Sequence, residues 1–562
     1  MRTWIVTIAL LAAFGCSSAG IESPVAASWP QAAGTEGTWA EQSDTAPPTE
    51  WSVVRDENIV WRATLPNAGQ SGIAGTEEKL FLTTFAPGAG DERHYSADIQ
   101  GHCVDAETGK LLWSVDLPGS VKSPMMYAYS DSTSPTPVIS DNLVVFTNSS
   151  GVMAAFDFDG KELWRRTWTP WGAPYPFNKQ HEPILYQNQV LNVEPLDGNP
   201  EDKLGWNYLR GIDIHTGKTL WIAEDATTTY TTSTFGLTAD GEPAVLTGRG
   251  GHHDVPERPV GISLISLAPG KEGKTIWRWT IDTDAEGQPL AEPGTPQTPT
   301  WQNLWVQHWS PQYAYWWRLN PVESHLVFDS KNGKLLREQS LIHNVDYRPW
   351  NPEKKTHDLL AGVNLREVHD WSPRVDQQPD EVIRVQPMWH ANIAAGGYHY
   401  FFAGTAHRRN RYEPKGKAGP SHCIGRVNIE TGKVEYFELP VTVLREPGKP
   451  DEFVYGVEVK TKTLNSNGED VAAEERSRND GWQIPAFWGS PVVLNGKLYQ
   501  TTMLGVTYVI DVNAPVLDES ALVAVNDLGP SGETWSLNSI SMVGGAIYHR
   551  TSKELFKIDE KR

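Results

Sequence analysis

Cysteine is scarce in this chain: three residues in 562, at Cys16, Cys103 and Cys423, with no two adjacent. That excludes the disulfide framework that staples small secreted domains. Cys103 and Cys423 each lie inside a strand-like run, and buried free thiols are the expectation for both. Blocks of positive charge are also missing. Lys and Arg number 48 against 69 Asp and Glu, a net charge of −21, which argues against a nucleic-acid partner. Serine-nucleophile and phosphate-loop patterns are absent, which removes serine hydrolases of known pattern and NTPases. The apolar run Ile5–Phe14 is too short to span a bilayer.

What the chain does have is a returning phrase, Gly-Lys-x-x-Trp, usually with an acidic residue about four positions ahead. It occurs at Gly109-Lys-Leu-Leu-Trp113, Gly160-Lys-Glu-Leu-Trp164, Gly217-Lys-Thr-Leu-Trp221 and Gly273-Lys-Thr-Ile-Trp277. Worn copies stand at Gly333-Lys-Leu-Leu-Arg337 and Gly432-Lys-Val-Glu-Tyr436. Each reads as strand, tight turn, strand: Asp or Asn bonds backbone N–H groups two residues on, and Gly supplies a positive φ. The glycines lie 51, 57, 56, 60 and 99 residues apart, a period that marks a repeat architecture.

A second hairpin precedes each phrase, as in Ser134-Pro-Thr-Pro-Val-Ile-Ser-Asp-Asn-Leu and Ser490-Pro-Val-Val-Leu-Asn-Gly-Lys-Leu. Four strands per unit is the arithmetic of a propeller blade. The expected fold is an all-β, eight-bladed β-propeller, with seven the alternative count. Blade cores fall near 71–115, 134–168, 182–223, 232–280, 298–340, 387–440 and 488–526, and the eighth begins near Trp535. That last blade ends without an outer strand. Asn58–Pro66 can supply one, so that an N-terminal strand closes the C-terminal blade.

The phrase Asp-x-x-Thr-Gly-Lys-x-x-Trp resembles the repeat of the PQQ-like, or quinoprotein-alcohol-dehydrogenase-like, β-propellers over roughly residues 57–562. That family includes quinoprotein dehydrogenases, the lipoprotein subunit of the outer-membrane β-barrel assembly machinery, and many exported proteins. The repeat is a fold signature and does not choose among them. In a dehydrogenase the resemblance implies PQQ with calcium, an Asp base and a vicinal Cys-Cys over the cofactor, and this chain has no Cys-Cys pair.

Domain boundaries follow. Residues 1–16 read as a signal peptide, with Cys16 after Gly15 resembling a bacterial lipobox, although Ala13 and Phe14 depart from the preferred residues. Residues 17–50, rich in Ser, Ala, Gly, Pro and Thr, read as a flexible tether, and 51–562 as the propeller. Polar, Pro-rich insertions lie near 343–385, expected as a lid or lateral extension, and near 443–487.

Residues just ahead of each blade's first strand converge on a propeller's central channel. These are Ser71, Ser134, His181-Glu182, Thr231-Thr232, Gln297-Thr298, Trp389-His390, Trp488 with Ser490, and Asn538-Ser539. Glu182, Trp389, Trp488 and Asn538 are the candidates for holding a ligand or cofactor. A basic loop, His407-Arg408-Arg409-Asn-Arg411, is a candidate anion site, and Gly248-Arg-Gly-Gly-His252-His253-Asp254-Val-Pro-Glu257-Arg258, with two His and two acids, a candidate cation or acid–base loop. The stretch Gln307–Arg318 is expected to project from blade five, stacking sugars if exposed or capping the ring if buried. His407, His422 and Cys423 have ligand chemistry for zinc, but neighbours on a strand point to opposite faces, and no metal is expected.

The function expected is a ligand- or protein-binding scaffold, with no cofactor, exported to the periplasm or outer membrane and anchored there through lipid at Cys16. Its partner is an envelope protein or a glycan, and a monomer is expected. The alternatives are enzymatic: a PQQ-dependent dehydrogenase, or a lyase-like enzyme on acidic polysaccharide using His181, His390, Tyr398 and Arg408.

Overall fold

The computed structural model describes residues 29–88, 90, 95–125, 130–170, 181–196, 198, 201–250, 256–281, 305–318, 323–368, 385, 387–403, 422–455, 462–473 and 487–560. Cys16, Arg408, the 252–254 loop and Gln297-Thr298 lie outside these residues, and the Trp389 side chain is likewise not described.

Eight sheets of three or more strands follow one another along the chain, each built mainly of consecutive antiparallel strands. The fold is an all-β propeller, and the described residues add only a 3-10 turn at Glu201–Lys203 and one α-helical turn at Leu365–Val368. Blade one runs from Ala74–Gly75 to Leu111–Pro124. Blade eight takes Ser541–Val543, Ala546–Arg550 and Glu554–Ile558, and its fourth strand is Ile59–Thr64 from the other end of the chain. Trp61 pairs with Lys557 and Arg62 with Phe556 in that closing strand. The ring therefore closes by strand pairing, and the last blade keeps no open inner strand edge.

The repeated phrase turns out to be the latch between blades. Each phrase glycine has a positive φ, from +68° to +87° across Gly109, Gly160, Gly217, Gly273 and Gly333. Each also lies under the tryptophan of the preceding blade. A Cβ on Gly217 would meet Trp164 at 2.5 Å, one on Gly160 would meet Trp113 at 3.1 Å, and one on Gly333 would meet Trp277 at 2.5 Å. The indole N–H donates to the neighbouring turn from Trp113 to the Phe158 carbonyl at 3.0 Å, from Trp164 to Ile214 at 2.8 Å and from Trp277 to Ser330 at 2.6 Å, whereas Trp221 bonds Gln189 Oε1 of its own blade at 2.7 Å. Trp61 of the closing strand donates to Ala106, over Gly109, so the seam is latched like the first three junctions. At the worn copy Arg337 replaces the indole, lying over Gly432 and donating to the Ile429 carbonyl.

Two expectations need correction, and a third is decided between its two alternatives. The stretch 29–50, assigned by composition to a flexible tether, packs on the ring. Trp29 and Trp39 are buried, Trp29 bridges Gly75, and Ala40–Glu41 adds a parallel strand inside Val492–Leu494 of blade seven. Pro30 accepts from Ile139 of blade two, and Gln31 accepts from Leu185 of blade three. Residues 29–41 thus lie in the channel as an axial plug, and the chain then runs over blade seven, where Pro48 accepts from Tyr499 and Thr49 from Asn526. Gln307–Arg318 does not project: Tyr313–Arg318 is a strand of blade five, and Trp316 and Trp317 are buried against Trp279 and Phe401. The first insertion is lateral rather than a lid in its described part. Val345–Arg348 pairs parallel to the outer strand Val434–Glu438 of blade six.

Cys103 and Cys423 are buried free thiols on separate blades. Among the described residues no helix is long and apolar enough to cross a membrane.

Candidate functional site

The inner strands begin with residues that bond from blade to blade around the axis. Asn538 donates to the Ser71 carbonyl at 3.4 Å, the Gly72 N–H to Thr136 Oγ1 at 3.1 Å, and the Thr136 N–H to Glu182 Oε2 at 2.7 Å. The Glu182 N–H continues to Thr232 Oγ1 at 3.2 Å, and the Gln307 N–H to the Thr232 carbonyl at 3.0 Å. His308 bonds the Asn392 carbonyl at 2.9 Å, and Ser539 donates to the Ser490 carbonyl at 2.7 Å. Blades six and seven meet instead through Phe402 and Phe487, whose rings lie 4.9 Å apart. Backbone groups at the start of a strand have no ladder partner, so these side chains satisfy them.

Inside this girdle is a partly open cavity on the axis. Its walls come from six blades: Gln70 and Gly72, Ser134 and Thr136, Glu182, His390, Trp488 to Ser490, and Leu537 to Ser541. Ala32 and Trp39 of the axial plug complete the lining. Of the expected channel set, Ser134, Glu182, His390, Trp488, Ser490, Asn538 and Ser539 are thus brought together.

His181 is not among them. It lines a separate, smaller cavity with Thr147, Trp168, Asn192 and Asn207, while its neighbour Glu182 faces the axis. Alternation along an extended segment sends adjacent side chains to opposite sides. Tyr398 is also elsewhere. It pairs with Asn428 beside the turn of blade six, and its ring lies 3.9 Å from the Arg426 guanidinium. His422 bonds Tyr508 at 2.7 Å and stacks on Phe487, so it belongs to the core. Sequence reasoning missed Ala32, Trp39, Gln70, Leu537 and Ile540. The one available signal for Trp39 was an indole inside a Ser-, Ala- and Gly-rich stretch.

Burial dominates the electrostatics of the two titratable groups here. Burial raises the Glu182 carboxyl to about 7 against the opposing bond from Thr136. Burial lowers His390 to about 4, and its bond to the Tyr230 backbone only partly opposes this. His390 is therefore neutral at pH 7, and its Nε2 has no partner. No Arg or Lys lines the cavity among the described residues.

The comparisons agree with the geometry. The profile of the family described as outer membrane protein assembly factor BamB matches residues 53–249. Over those residues, and in its repeated phrase, the propeller is similar to the PQQ-like kind. A europium-containing methanol dehydrogenase superposes with a TM-score of 0.50 at 11% identity, covering 93% of this chain and 89% of that one. A quinohemoprotein alcohol dehydrogenase from Comamonas testosteroni gives 0.50 at 12% identity, covering 95% and 81%. These likenesses concern the fold alone. Comparison with curated protein sequences returned no significant match.

PQQ itself can be tested against the lining. It carries three carboxylates, which call for guanidinium or ammonium partners. The described lining offers none and presents the Glu182 carboxyl instead. Cys103 and Cys423 sit buried on separate blades, so they form no pair over the cavity. The described residues do not fit this cofactor.

Proposed function

We propose that this chain is a binding propeller of the cell envelope, and that its axial cavity takes a small ligand. The observation that carries this reading is the convergence of polar side chains from six blades on one cavity floored by the N-terminal plug. A ring needs only apolar contacts to close its centre. Hydroxyls, an amide, a carboxyl and an imidazole around a cavity are groups that a ligand can use. The envelope assignment is supported by the signal-peptide-like residues 1–16, by the lipobox-like setting of Cys16, and by similarity to the family described as BamB.

The test is to purify the protein natively, denature it, and identify released small molecules by mass spectrometry, with Ser490→Phe as the blocked control. A species released near one per chain from the wild type and absent from Ser490→Phe is the expected result. Equal release from both, or release from neither, counts against the cavity as the site.

A second reading is favoured by the lateral additions to the ring. The strands 345–363 on blade six and the hairpin Thr442–Leu444 with Glu452–Val454 widen its outer wall, as an envelope-protein interface would require. In-cell crosslinking from that wall should then recover one reproducible envelope protein. Crosslinks scattered over many proteins would count against it.

A further inference from the structure

Resting on the cavity reading above, we propose that the axial ligand is an uncharged, polyhydroxylated small molecule. Three features of the lining lead there. The walls carry neutral groups that both donate and accept: the Ser490 hydroxyl, and Gln70, Ser134 and Asn538, which keep part of their capacity after Gln70 bonds Asp131, Ser134 bonds Gln70 and Asn538 bonds the Ser71 carbonyl. Such groups match hydroxyls, which also do both. Two indoles, Trp39 and Trp488, contribute flat apolar surface to the same cavity, and a sugar ring offers C–H faces to such surface as well as hydroxyl edges. The charge inventory is the third. No described cation lines the cavity, so an anionic ligand would be desolvated without a partner and set against Glu182.

Glu182 and His390 sharpen the assignment. Oε2 of Glu182 already accepts the Thr136 N–H. The carboxyl sits among groups that do not neutralise a negative charge, so it is half protonated near pH 7 and serves a hydroxyl as donor or acceptor. His390 is tied by its other nitrogen to the Tyr230 backbone, which leaves Nε2 as a bare acceptor without a partner. A hydroxyl that reached this buried atom would satisfy it, and a carboxylate would not.

The experiment uses three sugars that differ in charge at matched shape: glucose, glucuronate and glucosamine. Saturation-transfer NMR on the full-length protein reads binding at pH 7.5 and pH 5.5. Transfer to glucose is expected at both pH values with less than a three-fold change in affinity, glucuronate is expected at least ten-fold weaker, and Glu182→Gln should narrow that gap. Loss of the glucose signal in Ser490→Phe, or in Ser134→Met should the first variant not fold, assigns the binding to the cavity.

Glucuronate binding as well as glucose, or glucosamine binding more than ten-fold tighter at pH 7.5, overturns the ligand class while leaving the site intact, provided the cavity variants abolish the signal. Binding of none of the three overturns the class as well. Sugar binding that persists unchanged in both cavity variants removes the cavity itself, and with it the reading on which the class rests.

Discussion

Gly217 and Trp164 offer the sharpest test of how this ring holds together. Gly217 has φ +68°, and a Cβ there would meet Trp164 Cε3 at 2.5 Å. Gly217→Ala thus carries two costs. The left-handed backbone costs an alanine about 1–2 kcal/mol, and forcing a methyl into the indole adds about 1–3 kcal/mol of overpacking. Trp164→Ala removes a buried indole and its 2.8 Å bond to the Ile214 carbonyl, a loss of about 3–5 kcal/mol.

The two changes should not add. Without the indole the new methyl has room, so Gly217→Ala in the Trp164→Ala background should cost only the backbone part, about 1–2 kcal/mol. Equilibrium denaturant unfolding of the wild type, both single variants and the double variant reads the coupling. Additivity within about 0.5 kcal/mol would refute the latch, since residues in contact are expected to couple more strongly than that.

Trp61→Ala should open the seam, because Trp61 joins the closing strand to Ala106 of blade one. Limited proteolysis should then cut near residues 59–64 faster than at any other blade junction, and uniform cutting would count against strand closure at that point. Acid should destabilise the protein. Burial lowers eight imidazoles, with His102, His181, His325, His422 and His549 at about 3, His308 and His390 at about 4, and His399 well below 6.5. Their contribution is whole above pH 6.5 and is lost as pH falls, because only the unfolded chain takes up those protons, at about 1.4 kcal/mol per proton per pH unit. Glu182 and Glu257, raised from 4.5 to about 7 by burial, act in the opposite sense and are outnumbered. The Tm should therefore rise between pH 4.5 and 6.5, and a flat or falling profile would contradict it.

Much of the fold was legible because the chemistry of the latch is local. A glycine that must take positive φ, an acid that bonds the turn N–H groups as Asp105 does for Glu107 and Thr108, and an indole four residues on all recur in register. The channel set was legible for a similar reason, since polar side chains just ahead of an apolar inner strand have few places to go but the axis. What the sequence concealed depends on long-range packing. Residues 29–50 have the composition of a linker, and only the docking of Trp29 and Trp39 on blades far along the chain makes residues 29–41 a plug. The aromatic strand Tyr313–Arg318 looked like an exposed platform because its neighbours Trp279 and Phe401 belong to other blades. His181 and Glu182 were expected side by side at one site, and strand alternation parts them.

The most direct test of an axial, solvent-reachable and cation-poor cavity is thiol labelling of Ser490→Cys in a Cys16→Ser background. Cys103 and Cys423 should stay silent, since both are buried, with Cys103 raised to about 12 and Cys423 also raised by burial, and only a thiolate reacts. Native protein should react with a small methanethiosulfonate carrying an ammonium more than ten-fold faster than with one carrying a sulfonate, each rate taken relative to a free thiol. No labelling until the protein is unfolded, or equal rates for the two reagents, would contradict the account.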